Sequence, residues 1–282
     1  MCQNLTLYIR LRFDILNEVQ EKEVAMRFDM HCHTKEGSMD GKVPIAEYIS
    51  LLIDRGYDGM LVSDHNSYKG YREWKRNLKD KKFTDFVVLK GIEYDTIDAG
   101  HILVIMPENV NLKILELRGL PVHLLIDIVH KNGGILGPAH PCGEKYLSIT
   151  NTRKHKSQLA VMDRFDFVEG FNACETVQSN RSASAIAEQF EKPRFGGSDA
   201  HKADCVGLAY TDFPVPIRCE SDLIQCVLEK NQITCGGSYY KGTTKERIGK
   251  ANSILVQSFW FYNRLGSLWR HRQRVMEMHK LV

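Results

Sequence analysis

The strongest constraint on the fold is a recurring pattern in which a short apolar segment ends in a histidine or an acidic residue. The clearest case is residues 28–34, where His31 and His33 stand one residue apart at the end of such a segment. Side chains at positions i and i+2 of a strand point to the same side, so both imidazoles can reach one point. This arrangement favours a metal site beyond the end of the strand.

The same pattern recurs along the chain, with predicted helices between the apolar segments. Further strands are predicted near residues 59–63, 86–90, 101–105, 135–139, 167–172, 194–198 and 206–211. Strands that alternate with helices at this spacing are typical of βα units and a parallel sheet. Because polar residues follow nearly every strand, we expect a barrel of about seven strands with its site at their carboxyl ends, rather than an open doubly wound sheet.

Side chains that can bind a metal ion stand at most of these strand boundaries. The candidate ligands are His31, His33, Asp40, His65, Glu93, His101, His140, Asp199 and His201. One ion takes about four to six ligands, so this number of donors predicts two or three divalent ions. A single histidine at such a place is more often only hydrogen-bonded, but the whole set is hard to explain in that way. Imidazole and carboxylate ligands suit Mn²⁺, Fe²⁺ or Zn²⁺.

Composition and cysteine usage narrow the class of protein. A chain of 282 residues with 43% hydrophobic and 26% charged side chains can bury one large core. The eight cysteines are scattered without a CxxC pair, and no secretory signal is evident, so we expect reduced thiols in a cytoplasmic protein. No apolar run is long enough to span a membrane.

Three segments are predicted: an uncertain leader at residues 1–25, a barrel domain at 26–242, and a basic amphipathic helical tail at 243–282. The tail holds eight basic and two acidic side chains, whereas the rest of the chain holds 30 basic and 33 acidic ones. Its apolar residues keep roughly helical spacing at Leu255, Phe259, Tyr262, Leu265, Trp269 and Met276. We favour a helix that packs its aromatic face on the barrel. The alternatives are contact with an anionic membrane, contact with RNA phosphate, and dimerisation.

The ordered motifs resemble those of the PHP family, which is named for polymerase and histidinol phosphatase. They are His31-Cys32-His33-Thr34 with Asp40-Gly41, Ser63-Asp64-His65-Asn66, Gly91-Ile92-Glu93, His101, Ala139-His140-Pro141 and Asp199-Ala200-His201. The resemblance runs from about residue 27 to residue 211. It implies a distorted (β/α)7 barrel, a trinuclear site of Mn, Fe or Zn ions, and cleavage of phosphoesters.

The resemblance also implies how the ligands are divided. The first ion would be held by His31, His33, Glu93 and Asp199. Glu93 would bridge to a second ion, which His101 and His140 complete, and a third ion would be held by Asp40, His65 and His201. Position 40 is often histidine in related proteins, so this aspartate bears on the metal preference or occupancy of the third site.

Metal-dependent hydrolysis of a phosphomonoester or phosphodiester by a metal-bridged hydroxide is the expected chemistry. The third ion would grip the phosphate oxygens. Asp199 or His201 would protonate the leaving oxygen, and the sequence does not choose between them. Asp64 is grouped with these catalytic residues, in the role of orienting a ligand histidine. The alternative is a non-catalytic metal-binding module that serves assembly or regulation.

The substrate is expected to be a phosphorylated small molecule, a nucleotide or a short oligonucleotide. Lys69, Arg72 and Arg194 are candidates to bind a second phosphate, although surface solvation is the plainer role for most of them. Glu169 and Asn172 follow another strand and are expected to support the ligands. Related nucleotide hydrolases carry a long insertion before the His-Pro motif, and only 38 residues separate His101 from His140 here. This weakens the interpretation as a nucleotide-bisphosphate hydrolase.

Overall fold

The computed structural model describes residues 25–143, 147–152, 160–241 and 250–280. The predicted leader lies outside these ranges except for residue 25. The strands are β1 Met26–Cys32, β2 Gly59–Val62, β3 Val87–Asp95, β4 His101–Ile105, β5 Ile135–Pro138, β6 Val168–Asn172, β7 Arg194–Gly197, β8 Ala209–Phe213 and β9 Thr234–Gly237. The helices are α1 Ile45–Ile53, α2 Lys69–Asn77, α3 Val122–Lys131, α4 Val177–Gln189, α5 Glu220–Leu228, α6 Lys250–Trp269 and α7 His271–His279.

The main sheet is mixed rather than wholly parallel. Its seven strands run in the order β5-β4-β3-β2-β1-β8-β9, and β6 and β7 form a separate parallel pair. Strands β1, β2 and β3 are parallel, whereas β3–β4, β4–β5, β1–β8 and β8–β9 are antiparallel. The prediction of an all-parallel sheet is therefore wrong. Only residues 96–100 join β3 to β4, a connection too short for the crossover that parallel neighbours require.

The prediction of an α/β fold is confirmed, and its main sheet is curled and mixed. The β6–β7 pair lies against the main sheet, where Gly196 N donates to Thr211 Oγ1 of β8 over 2.7 Å and Cys32 forms a parallel bridge with Ala200. Asp166, just before β6, donates from its backbone to Leu136 O of β5 over 2.9 Å. Among the described residues no strand ladder joins β5 to β6, so a closed seven-unit barrel is not confirmed.

Apolar side chains on both faces of the curled sheet hold the strands in place. Helix α1 buries Ile45, Tyr48, Ile49 and Leu52, a spacing that forms one face of a helix. The other side of the sheet is filled by aliphatic and aromatic residues, among them Phe28, Leu61, Leu89, Phe167 and Phe195. Full burial of one such side chain stabilises a fold by about 1.5–3 kcal/mol. This packing fixes where the strands end.

One edge of the sheet collects the polar residues because β4 runs against β3. Asp95, the last residue of β3, pairs with His101, the first residue of β4. His101 therefore lies at the carboxyl ends of the parallel strands, although it is the first residue of its own strand. This orientation explains why the sequence places a histidine at the beginning of this one strand.

The described part of the tail forms α6 and α7, and α7 packs on the body. The guanidinium of Arg274 is buried and donates to Ser267 O over 2.7 Å and to Arg118 O. The predicted packing of an aromatic face on the barrel is wrong for Trp269, which is exposed, as are Leu265 and Met276. The Tyr262 ring is half exposed, and the guanidinium of Arg118 lies over it, 5.2 Å from its centroid. The side chains of residues 255 and 259 lie outside the described part. No described helix is long and apolar enough to cross a membrane.

Candidate metal centre

Strand β1 carries the first two histidines to the edge of the sheet. His31 and His33 are fully buried, and their Nε2 atoms lie 3.1 Å apart. Cys32, between them, faces the opposite side and packs with α1 in the core. The alternation of a strand thus turns both imidazoles to one point, as the spacing predicts.

Glu93, on β3, is the centre of the cluster. Its Oε2 lies 3.3 Å from His31 Nε2, 3.2 Å from His33 Nε2 and 3.1 Å from His65 Nδ1. Its Oε1 lies 2.8 Å from His101 Nδ1 and 3.0 Å from His140 Nε2. One buried carboxylate therefore contacts five imidazoles that come from four separate segments of the chain.

The remaining predicted ligands extend the cluster towards the surface. Asp199 Oδ1 lies 3.2 Å from His33 Nε2. His201 Nε2 lies 3.1 Å from Asp40 Oδ2, and His65 Nε2 lies 3.7 Å from the same oxygen. The structure thus brings all nine predicted ligands together, with Asp40 as the most exposed member.

Three overlapping groups of donor atoms could each hold a cation. They are His33, Asp40, His65 and His201; His31, His33 and Asp199; and His65, Glu93 and His101, with the donor atoms of each group within 4.8 Å of one another. Glu93 Oε2 and His101 Nε2 are buried without a hydrogen-bond partner. Burying such atoms is costly unless something satisfies them. The donor set therefore fits divalent cations.

The charges in the centre are strongly coupled. Burial alone would lower the pKa of His31, but Glu169, Glu93 and Asp199 raise it well above its ordinary value. Burial is likewise outweighed at His33, where Asp199 and Glu93 raise the pKa to about 10. Burial would raise the pKa of Glu93 and Asp199, but the surrounding imidazoles hold both pKa values well below the ordinary range. Without a metal, His31 and His33 are therefore protonated and Glu93 and Asp199 are ionised.

Both predicted supporting residues contact the ligands. Glu169 Oε1 lies 2.9 Å from His31 Nδ1, and its Oε2 accepts a hydrogen bond from His140 N. The amide of Asn172 donates to Glu169 Oε2 and to Asp199 Oδ2, each over 3.2 Å. These contacts orient ligands from β1 and from the segment after β7.

Asp64 supports the centre from behind the ligands, and its predicted role of orienting a ligand histidine stays a prediction. Its carboxylate accepts from Thr34 N at 2.7 Å, Thr34 Oγ1 at 2.8 Å and Ser38 Oγ at 3.0 Å. Ser38 Oγ lies 3.1 Å from His33 Nδ1, so Asp64 reaches a ligand only through this hydroxyl. Sequence reasoning missed Ser38, because a serine in a polar loop carries no distinguishing signal.

The three predicted phosphate-binding cations lie outside the cluster. Arg194 is the first residue of β7, at the opposite end of that strand from Asp199, and its side chain lies beside Gly170. Its predicted role in binding substrate stays a prediction. Arg72 is paired with Glu116, with its Nη2 at 2.7 Å from Oε1, and Lys69 is an exposed residue at the start of α2.

Sequence reasoning also missed Asp95 and Arg118. Asp95 Oδ1 lies 3.4 Å from His65 Nδ1 and 3.3 Å from His101 Nε2. Its Oδ2 lies 3.6 Å from Arg118 Nη1. The available signal was the spacing, because Asp95 follows Glu93 by two positions on β3 and so points to the same side.

Two residues of the cluster have left-handed backbone conformations. His140 has a φ of +30° and Asp199 a φ of +51°. Residues other than glycine adopt positive φ uncommonly, and such conformations concentrate at functional sites. Each comes two residues after the end of a strand, β5 or β7, so the sharp turn directs its side chain into the centre.

Comparisons with known proteins agree with the fold. The protein PsfC from Pseudomonas syringae is 17% identical, with a TM-score of 0.57 over 83% of this chain and 99% of its own. A two-domain protein from Bacteroides vulgatus, described as containing a predicted PHP-like metal-dependent phosphoesterase, is 15% identical, with a TM-score of 0.55 over 76% of this chain and 65% of its own. The lesion-specific endonuclease PfuEndoQ from Pyrococcus furiosus is 15% identical, with a TM-score of 0.57 over 75% of this chain and 58% of its own. No curated protein matches the sequence.

The sequence itself matches two family models. A model described as PHP-associated matches residues 177–231. The model of the PHP domain matches residues 29–187, which is more than half of the chain and includes the ligand-bearing strands from β1 to β5. The chain therefore belongs to the PHP family.

Proposed function

We propose that the protein is a metal-dependent phosphoesterase, a hydrolase that cleaves a phosphomonoester or phosphodiester. The observation that carries this proposal is the buried Glu93 carboxylate in contact with five imidazoles. Its membership of the PHP family supports the same reaction class. Apolar side chains of similar volume would stabilise the fold at least as well as these buried charged groups. Packing alone therefore does not explain the cluster.

Two or three divalent ions would be held by the nine clustered ligands. Imidazole together with carboxylate suits Mn²⁺, Fe²⁺ or Zn²⁺. Bound ions of this kind polarise a phosphoryl oxygen and lower the pKa of bound water. The division of the ligands among three ions that the family resemblance implies fits the donor groups in part. One donor group contains Asp40, His65 and His201, and another contains His31, His33 and Asp199.

The chain's own residues would position the substrate and move the proton. His201 lies on the open side of the cluster, with its Nδ1 at 2.9 Å from Asp199 O and its Nε2 towards Asp40. It is the more open of the two residues proposed for proton transfer, because the Asp199 carboxylate is held by Asn172 and His33. Since His201 Nε2 would hold an ion, the proton would reach the leaving oxygen through water. Lys69 remains an exposed cation that a phosphorylated substrate could reach.

The proposed substrates are phosphorylated small molecules, nucleotides and short oligonucleotides. A structural neighbour described as a lesion-specific endonuclease supports including oligonucleotides in this set. Metal-depleted protein should be assayed with each of Mn²⁺, Fe²⁺ and Zn²⁺ against mono- and diesters of these classes. Turnover that depends on the metal is the expected result.

A pair of histidine variants controls this experiment. His65→Gln removes a clustered imidazole, whereas His123→Gln changes an exposed histidine of α3. Turnover should be lost in the first variant and kept in the second. Stoichiometric metal binding without turnover of any ester would contradict the enzyme and favour the non-catalytic module.

A second proposal is that α6 lies on an anionic membrane surface. Exposed Ile254, Phe261, Leu265 and Leu268 fall on one side of this helix at spacings of seven, four and three. Helix α6 contains the basic residues Lys250 and Arg264 and no acidic one, and Arg270 and Arg272 follow it. An apolar stripe with basic flanks suits a bilayer interface better than RNA, which would leave the stripe in water.

Flotation with vesicles tests this contact. Binding to vesicles of phosphatidylserine and phosphatidylcholine, but not to phosphatidylcholine alone, is expected, with loss in Leu265→Ser. Ile97→Ser alters an exposed apolar residue elsewhere and should bind as the wild type does. Binding of short RNA with no flotation would instead support the RNA alternative.

A further inference from the structure

We propose that Asp95 is an additional metal ligand, which joins His101 Nε2 and His65 Nδ1 at a coordination position beyond the nine predicted ligands. The inference rests on the proposed function only in requiring divalent ions in the centre. Its first support is topology. Asp95 follows Glu93 by two residues on β3 and pairs directly with His101 across the antiparallel β3–β4 ladder. Directly paired residues have close side chains, so the register itself brings this carboxylate to this imidazole.

The second support is the unsatisfied state of buried atoms. Asp95 and His101 are 3% and 4% exposed, and neither Asp95 oxygen nor His101 Nε2 has a hydrogen-bond partner. Asp95 Oδ1 and His101 Nε2 lie 3.3 Å apart without a hydrogen-bonding geometry. A buried carboxylate without hydrogen bonds is strongly unfavourable unless it is paired or coordinates a metal. A cation shared by Asp95 Oδ1 and His101 Nε2 would satisfy both of these atoms at once.

A simple ion pair with Arg118 does not account for Asp95. Arg118 Nη1 lies 3.6 Å from Oδ2, which is too long for a hydrogen bond. This contact concerns one oxygen and leaves Oδ1 facing His65 and His101. Arg118 thus acts as a positioning residue, because it directs one oxygen of Asp95 outwards and the other towards the imidazoles.

An additional carboxylate alters which ion the centre prefers. Carboxylate ligands suit Mn²⁺, whereas imidazole is also a good ligand for Zn²⁺ and Fe²⁺. With Asp95 the centre has four carboxylates, the others being Asp40, Glu93 and Asp199. The position at Asp95 should therefore take Mn²⁺ more readily than a purely imidazole position would.

Metal binding by matched variants tests the proposal. Asp95→Asn replaces the carboxylate with an amide of the same shape. Asp98→Asn makes the same change three residues away, where the side chain accepts from Val122 N and an amide oxygen can still accept. Ions per chain are measured by mass spectrometry after equilibration with Mn²⁺, and affinities by calorimetry. Circular dichroism of the metal-free proteins checks folding.

Asp95→Asn should lose one Mn²⁺ per chain or bind one ion at least about tenfold more weakly. Loss of a residue that only orients a ligand already weakens metal binding by about tenfold or more, and loss of a ligand itself should cost at least as much. Asp98→Asn should bind as the wild type does. Unchanged stoichiometry and affinity in a folded Asp95→Asn protein would overturn the proposal.

Crystals of the wild-type protein grown with Mn²⁺ give a test that needs no variant. An anomalous peak about 2.0–2.5 Å from an Asp95 oxygen is expected. Peaks that all leave both oxygens more than about 4 Å away would overturn the assignment. Neither readout involves hydrolysis, so failure of this inference and failure of the proposed phosphoesterase activity are distinguishable.

Discussion

Glu169 Oε1 lies 2.9 Å from His31 Nδ1, so the other ring nitrogen of His31 faces Glu93 and His33. Such a partner fixes the tautomer and orientation of a ligand histidine, and its loss typically costs about 10–100-fold in metal affinity. We therefore expect Glu169→Gln to bind Mn²⁺ more weakly by a factor in this range, as measured by calorimetry. Glu188→Gln, on the exposed side of α4, should have no effect. Equal affinities in the two variants would show that Glu169 does not orient the ligand.

The hydroxyl of Ser38 is expected to support both His33 and Asp64. Ser38→Ala removes a hydrogen bond from each of these buried side chains. Leaving a buried polar group unsatisfied costs about 1–3 kcal/mol, so the variant should unfold at a lower temperature, with and without metal. Ser50→Ala, which removes only a hydroxyl bond to Ala46 O within α1, is the control. Equal melting temperatures in the two serine variants would show that the hydrogen bonds of Ser38 to Asp64 and His33 do not stabilise the fold more than an ordinary hydroxyl bond does.

The residue at position 40 should determine which metal ion the third site, formed by Asp40, His65 and His201, prefers. Asp40 Oδ2 faces His201 and His65, and Asp40→His would convert this group to imidazole ligands with no carboxylate of its own. Because imidazole suits Zn²⁺ and carboxylate suits Mn²⁺, the variant should retain more Zn²⁺ in a competition with Mn²⁺. Metal analysis after dialysis against an equal mixture of the two ions measures this. An unchanged ratio would mean that Asp40 does not bind the ion.

Metal binding should release protons. The pKa of His33 is raised to about 10 in the metal-free site, so at pH 7 its imidazole carries a proton that an incoming ion must displace. The apparent affinity should therefore rise with pH between 7 and 9. Calorimetry in buffers of different ionisation enthalpy measures the number of protons released. Binding enthalpies that do not depend on the buffer would contradict the prediction.

The same raised pKa has an opposite effect on the metal-free fold. A histidine with a higher pKa in the folded state contributes stability that is fully present below its unfolded pKa of about 6.5. For His33 that contribution is lost as the pH rises through about 10. Metal-free protein should therefore melt at a lower temperature at pH 10 than at pH 7, in a circular dichroism melt.

The ligand set could be predicted because each member follows or precedes an apolar segment, and strand ends that meet at one edge bring such residues together. His31 and His33 show this most simply, since the alternation of one strand fixes their shared direction. Glu93 could be placed among them for the same reason. The contacts of Glu169 and Asn172 with the ligands also agree with their positions at a strand end.

The direction of the strands could not be obtained in this way. The alternation of strands with helices indicated parallel neighbours. The signs of an antiparallel ladder were the short connection before His101 and the position of this histidine at the start of its strand. Arg194 stands at the first residue of β7, at the opposite end of that strand from Asp199, and the direction of β7 had to be known to see this. Asp95 was missed because the two-residue spacing was applied to β1 and not to β3.

The gap between β5 and β6 gives the metal ions a mechanical role. In the residues that the structure describes, no ladder closes this seam, yet His140 follows β5 and Asp199 follows β7 on its far side. Both side chains belong to the cluster around Glu93. Ions bound there would add coordination bonds across a seam that single hydrogen bonds, such as Asp166 N to Leu136 O, join at present. The protein would then be cross-linked by its own cofactor, and losing the ions would loosen this seam.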